Sequence, residues 1–134
     1  MRWAALLAVL ACSRGAVGPA PLDTRNESCA SCRMAVSSQK FAGQVVAPGE
    51  EPRFFDDLAC LAAWLKAHPL PSGARAFVAD HRTGEWVPAG SAVYSRASID
   101  TPMGSHLIAH SGVASRDLDP QARGASPAAL GSGP

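Results

Sequence analysis

Pro52-Arg53-Phe54-Phe55-Asp56-Asp57-Leu58-Ala59-Cys60-Leu61-Ala62-Ala63-Trp64-Leu65 contains the change of period on which the fold turns. Pro52 to Phe55 reads as a short strand. Asp56-Asp57 then opens a helix, with Leu58, Leu61, Ala62 and Leu65 on one face at helical spacing. An Asp at this point caps free backbone N–H groups and meets the positive end of the helix dipole. Lys66 and His68 suit the C-terminal end, and Pro69 stops the helix.

Upstream, Phe41 to Ala47 reads as a strand, and Pro48-Gly49-Glu50-Glu51 turns it into the strand at Pro52, forming a hairpin. Downstream, Arg75 to Asp80 is an apolar run that reads as a central strand. His81-Arg82-Thr83-Gly84 turns the chain and Glu85-Trp86-Val87 returns it. Ala92 to Arg96 and His106 to His110 read as further strands, separated by a Pro- and Gly-punctuated loop at Ile99 to Gly104. Strand, strand, helix and then several strands is the order of an α+β domain with a mostly antiparallel sheet.

The ends of the 134-residue chain read differently. Arg2 followed by Ala4 to Ala11 is a short basic and then apolar run, too short to span a bilayer, and reads as a signal peptide over residues 1–11. Val9-Leu10-Ala11-Cys12 resembles a lipobox, which makes Cys12 the lipidated first residue of the mature chain; the alternative is an ordinary secretory signal cut elsewhere. Residues 12–25, with Gly15, Gly18, Pro19 and Pro21, read as a flexible, lipid-anchored tether that lifts the domain off the membrane. Residues 118–134 are rich in Gly, Ala, Ser and Pro and read as a disordered tail, leaving a folded domain at 26–117.

The apolar fraction of 47% is inflated by the leading segment and by alanine, so the core is modest. A small domain of this kind gains from a metal or a partner. The net charge of +1, with no basic stripe, argues against nucleic acid as a partner. No Ser/His/Asp order, phosphate-cradling glycine loop or HExxH pattern is present, so the chain does not read as an enzyme.

The chemistry concentrates at Cys29-Ala30-Ser31-Cys32-Arg33-Met34. Two thiols and a thioether in six residues form a soft-donor cluster, and soft sulfur ligands select Cu(I) over hard cations. If the segment is extended, Cys32 and Met34 alternate onto the same side. Cys29 and Cys32 equally suit a disulfide in an oxidising compartment, and Met34 equally suits a core gap. Met103 stands in a Pro-Met-Gly turn, where a core role is a poor explanation. Cys60 falls in the first helical turn, which favours its thiolate as a ligand or redox partner; its other reading is a small buried core residue. His106 and His110 share a face if they lie on one strand, and either offers a nitrogen donor. His68 reads as a helix-end charge and His81 as a turn residue, while Asp56, Asp57, Asp80 and Asp100 read as caps and turn formers. Zinc prefers four closed ligands, and three cysteines with a histidine supply that number, but the usual second paired motif is missing.

Taken together, these residues resemble the NosL family, accessory lipoproteins of nitrous-oxide reductase maturation. The likeness runs through the lipobox at Cys12, Cys29-x-x-Cys32-x-Met34, Phe55-Asp56-Asp57 with Leu58 and Cys60, Phe77-Val78-Ala79-Asp80, Trp86-Val87-Pro88-Ala89, Ala92-Val93-Tyr94 and Thr101-Pro102-Met103-Gly104. It implies an α+β fold of ββαβ-like units and a Cu(I)-binding metallochaperone. The protein would be anchored to the cell membrane or outer membrane, face the periplasm, and pass copper to nitrous-oxide reductase or another client. It also implies Cys32 and Met34 as leading ligands, with Cys29 and Met103 next. Two departures stand out: Arg33 occupies a position where the family commonly has Gly, and after Gly112 a helix-forming stretch gives way to a Gly/Pro-rich tail. The second departure counts against a complete second ββαβ unit. The competing functional readings are an extracytoplasmic thiol–disulfide oxidoreductase and a structural lipoprotein with a Cys29–Cys32 disulfide.

Overall fold

A computed structural model describes residues 15–131 of the chain. The expected signal segment and the lipidation residue Cys12 lie outside the described residues. The architecture is α+β, with two antiparallel sheets and two helices among the described residues.

The first sheet takes strands β1 (Gly43–Val46), β2 (Arg53–Phe55), β3 (Arg75–Ala79) and β4 (Trp86–Pro88) in the order β2-β1-β3-β4. Helix α1 (Leu58–Ala67) follows β2 directly. As the period predicts, Asp57 is its N-cap, accepting from the Ala59 N–H at 2.8 Å. Leu58 and Leu61 are buried beneath it. Gly43 makes this packing possible: a Cβ there would stand 2.7 Å from Leu61 Cδ2, so only a glycine admits the helix this close to β1.

The second sheet takes β5 (Val93–Arg96), β6 (Leu107–His110) and β7 (Ser126–Ala128) in the order β6-β5-β7, with the short helix α2 (Val113–Asp117) between β6 and β7. The sequence β5-β6-α2-β7 repeats β1-β2-α1-β3, and in both sheets the first strand of the unit is central. The second ββαβ unit is therefore complete, against the expectation from the Gly/Pro-rich stretch after Gly112. Its helix spans only five residues. The His81 N–H donates to the Ala109 carbonyl at 2.8 Å and stitches the two units together.

Both boundaries of the domain differ from the sequence reading. The tether drawn over 12–25 joins the domain at Ala20, whose N–H and C=O pair with the side-chain amide of Gln44 at 2.8 and 3.0 Å. Gln44 is fully buried in the middle of β1, and a buried amide needs both partners. Ala20 and Leu22 also pack on the core. The tail drawn over 118–134 is structured as far as Gly131: Asp119 is buried, Pro120–Ala122 form a 3-10 turn, and β7 pairs with β5 at Tyr94↔Ala128. A strand of Ser-Pro-Ala carries no alternation to read; the open edge of β5 gives it a place.

Candidate metal centre

Cys29 and Cys32 bracket a tight turn beside β2. The Ala30 N–H donates to the Phe54 carbonyl at 2.8 Å, so the turn hangs on the strand that leads into Asp56. Inside it, the Cys29 N–H reaches the Met34 carbonyl at 2.8 Å and the Arg33 N–H reaches the Cys29 carbonyl at 3.0 Å. Ser28 and Ala35 form a bridge across the base.

The turn requires a left-handed residue, and Arg33 takes that role at φ 68°. A left-handed backbone is one that glycine adopts without the strain a Cβ brings. It also removes the premise of an extended 32–34 segment, so the alternation argument for Cys32 and Met34 does not hold. Arg33→Gly is expected to stabilise the protein by about 0.5–1 kcal/mol, the relief of left-handed strain less the added chain entropy of glycine. The check is the denaturant midpoint: a rise at constant slope agrees, and a fall contradicts the assigned backbone.

The turn, the β2–α1 junction and the first turn of α1 bring four side chains together. One donor atom each from Cys29, Cys32, Asp56 and Cys60 lies within 4.8 Å of all the others. All three cysteines are free thiols. Cys29, Asp56 and Cys60 are buried, while Cys32 is half-buried and forms the open side of the cluster. The Cys32 thiol donates to Asp56 Oδ1 at 3.4 Å, and the Cys32 N–H points to Cys29 Sγ at 3.5 Å.

Asp56 is the member that sequence reasoning missed. Two adjacent aspartates offered one cap, and Asp57 takes it. Asp57 is fully buried, and while Oδ1 caps the helix its Oδ2 accepts the Met103 N–H at 2.9 Å. That leaves Asp56 to face the sulfurs. The surplus of one Asp over one cap was the only local signal.

The remaining candidates separate from the cluster. Met34 and Met103 are exposed, at 60% and 49%. The Asp57–Met103 bond fixes the Thr101–Gly104 loop beside the helix start, so the Met103 backbone neighbours the cluster. His106 does not join it: its backbone is left-handed at φ 59°, its ring is exposed, and its Nδ1 lies 2.7 Å from the Ile99 carbonyl. It lies one residue outside β6 and shares no face with His110, which is buried elsewhere.

Cys32 and Cys60 hold their protons more tightly than free cysteine does. Burial pushes the Cys60 thiol strongly upward, and the neighbouring Cys29, Asp56 and Cys32 add to it. Burial also raises Cys32, with further contributions from Cys29 and Asp56, partly offset by the N–H of Met34. The expected lowering of Cys60 by the helix start is therefore reversed, because desolvation and negative neighbours outweigh the dipole. A cation placed among these groups inverts that balance, since metal ligation deprotonates a thiol. The four side chains make a candidate metal-binding cluster on this donor chemistry.

No family model, curated protein or solved structure matches the chain.

Proposed function

We propose that the protein is a lipid-anchored Cu(I)-binding metallochaperone. It would hand copper to an extracytoplasmic copper enzyme, with nitrous-oxide reductase maturation as the leading client, as the likeness to the NosL family implies. The observation that carries this reading is the convergence of Cys29, Cys32 and Cys60 on one point, from one tight turn and the first turn of α1. Sulfur donors select a soft monovalent ion. A half-open Cys32 gives a receiving ligand a side from which to take copper, and the exposed thioethers of Met34 and Met103 offer neutral donors at the protein surface.

One feature favours a second reading. Asp56 adds a harder oxygen to three sulfurs, and four closed ligands suit structural Zn(II). The two readings part in a competition: Cu(I) should displace Zn(II) from a carrier site, whereas a structural zinc site loses fold when its metal is exchanged.

The test is a titration of the reduced full chain with Cu(I) against a chelator. One tightly bound equivalent is expected, and its absence refutes the carrier. Because Cys32 and Cys60 hold their protons in the free protein, uptake should release protons into a weakly buffered solution, and affinity should rise with pH. Met34→Leu should slow transfer to an acceptor thiol more than it weakens equilibrium binding. A full loss of binding in that variant would instead place Met34 among the essential ligands.

A further inference from the structure

A second cluster of donor atoms lies just beyond the C-terminal end of β3, where the two ββαβ units meet. His81 follows β3, His110 ends β6, and Asp119 sits just before the 3-10 turn that leads to β7. All three are buried, His110 completely. A single carboxylate oxygen, Asp119 Oδ2, faces both rings: His81 Nδ1 at 2.6 Å and His110 Nε2 at 2.9 Å. Asp119 Oδ1 is already engaged, accepting the Gln121 N–H at 2.9 Å. One donor atom from each residue falls within 4.8 Å of the other two.

His110 Nδ1 is buried with no hydrogen-bond partner, and it is the only such side-chain N or O among the described residues. A buried nitrogen without a partner is destabilising. Nε2, at Asp119, is therefore the only hydrogen-bonded nitrogen of the His110 ring.

We propose that His81, His110 and Asp119 form a second metal site, selective for a divalent first-row cation such as Zn(II). Two imidazoles and a carboxylate are borderline-to-hard donors, the set that suits such ions. No sulfur belongs to the cluster, so the softness that favours Cu(I) at Cys29, Cys32 and Cys60 is missing here. The carboxylate supplies the negative charge: although burial alone would raise it, hydrogen bonds from His81, His110 and Gln121 hold Asp119 below the usual carboxylate range. Bonds of about 2.0–2.1 Å hold neighbouring ligands roughly 3.3 Å apart, so both rings would withdraw from Oδ2 by roughly half an ångström. The protons now shared with Oδ2 leave as the cation enters. Asp119 binds through Oδ2 alone, since Gln121 retains Oδ1. Occupation braces β3, β6 and the segment leading to β7 around one centre, which gives the second unit, with its five-residue helix, a cross-link that its small core lacks.

The test titrates the reduced full chain with Co(II), whose absorption separates sulfur from nitrogen and oxygen ligation. One bound equivalent should show no thiolate charge transfer, persist in Cys32→Ser and vanish in Asp119→Asn. Asp119→Asn should keep the thiolate-bound signal, which also reports that it is folded. If that variant fails to fold, the unaltered chain decides the matter: nitrogen–proton correlations of the imidazole rings are followed on adding Zn(II). Loss of the proton and a shift at His81 Nδ1 and His110 Nε2 support the site. Unchanged ring signals in excess Zn(II), or equal Co(II) uptake by the unaltered chain and Asp119→Asn, overturn it.

Discussion

Cys32→Ser is expected to weaken Cu(I) binding by more than about 100-fold, beyond the ~10–100-fold that follows loss of an outer-shell partner. Cys32 is the one half-buried thiol of the cluster and touches two other members, Cys29 and Asp56. Serine keeps the size but replaces a soft, polarisable donor by a hard one, which a Cu(I) centre does not accept. Folding should be little affected, because the side chain is half-open and its hydrogen bond to Asp56 is one a hydroxyl can make. Cys60→Ser should lose comparable affinity but also some stability, since Cys60 is buried in the core. The measurement is the chelator competition repeated on each variant, with the thermal midpoint as control. If Cys32→Ser binds Cu(I) within tenfold of the unaltered chain, the cluster is not the copper site.

Asp80→Ala is expected to cost about 3–5 kcal/mol of stability, a large share of the roughly 5–15 kcal/mol that holds a domain together. Asp80 is fully buried where β3 ends. Its Oδ1 accepts the N–H groups of Arg82 and Thr83 at 2.9 and 3.1 Å, and its Oδ2 accepts the Ser111 N–H at 2.7 Å. The carboxylate thus closes the turn after β3 and fastens it to the end of β6, and its removal strands three donors. Denaturant unfolding at neutral pH checks the magnitude; a loss under about 1 kcal/mol would contradict the structure of this junction.

The acid limb of the stability curve offers a second readout for Asp80. Burial alone would raise its carboxyl, but the N–H groups of Ser111 and Thr83, with the hydroxyls of Ser115 and Ser111, hold it well below the usual range. A carboxyl lower in the folded than in the unfolded chain stabilises the fold at pH above about 4, its unfolded value, and loses that contribution as the pH falls. Asp119 is lowered as well and acts in the same direction. The unaltered chain should therefore lose stability steeply below pH about 4. Asp80→Ala should show a shallower slope there, with the part due to Asp119 left in place.

Much of the architecture could be read from local pattern. The helical face of Leu58 and Leu61 and the Asp57 cap lie within ten residues of each other, and the cap acts as expected. Strands β1, β2, β3 and β5 fall inside the runs assigned to them, because Val, Phe and Tyr alternate or cluster there. The C-terminal strand could not be read in this way, since Ser126-Pro127-Ala128 gains its place only from the edge of β5. The repeat of the ββαβ unit was hidden for the same reason.

The cysteine cluster was legible as a set of residue types: Cys29, Cys32 and Cys60 were singled out and do converge. The other expected ligands depend on geometry that one backbone angle changes. A left-handed Arg33 breaks the extended segment on which the pairing of Cys32 with Met34 rested, and a left-handed His106 leaves the strand it was to share with His110. Asp56 was indistinguishable from a cap until Asp57 was seen to fill that role. His81 and Asp119 lie 38 residues apart, and no local pattern joins a turn histidine to an aspartate in a Gly/Pro-rich segment.

X-ray absorption at the copper edge, on the reduced chain loaded with one equivalent of Cu(I), addresses the metal-carrier reading most directly. An inner shell dominated by sulfur is expected, losing amplitude in Cys32→Ser and Cys60→Ser. A shell of nitrogen and oxygen alone, unchanged in both variants, would contradict it.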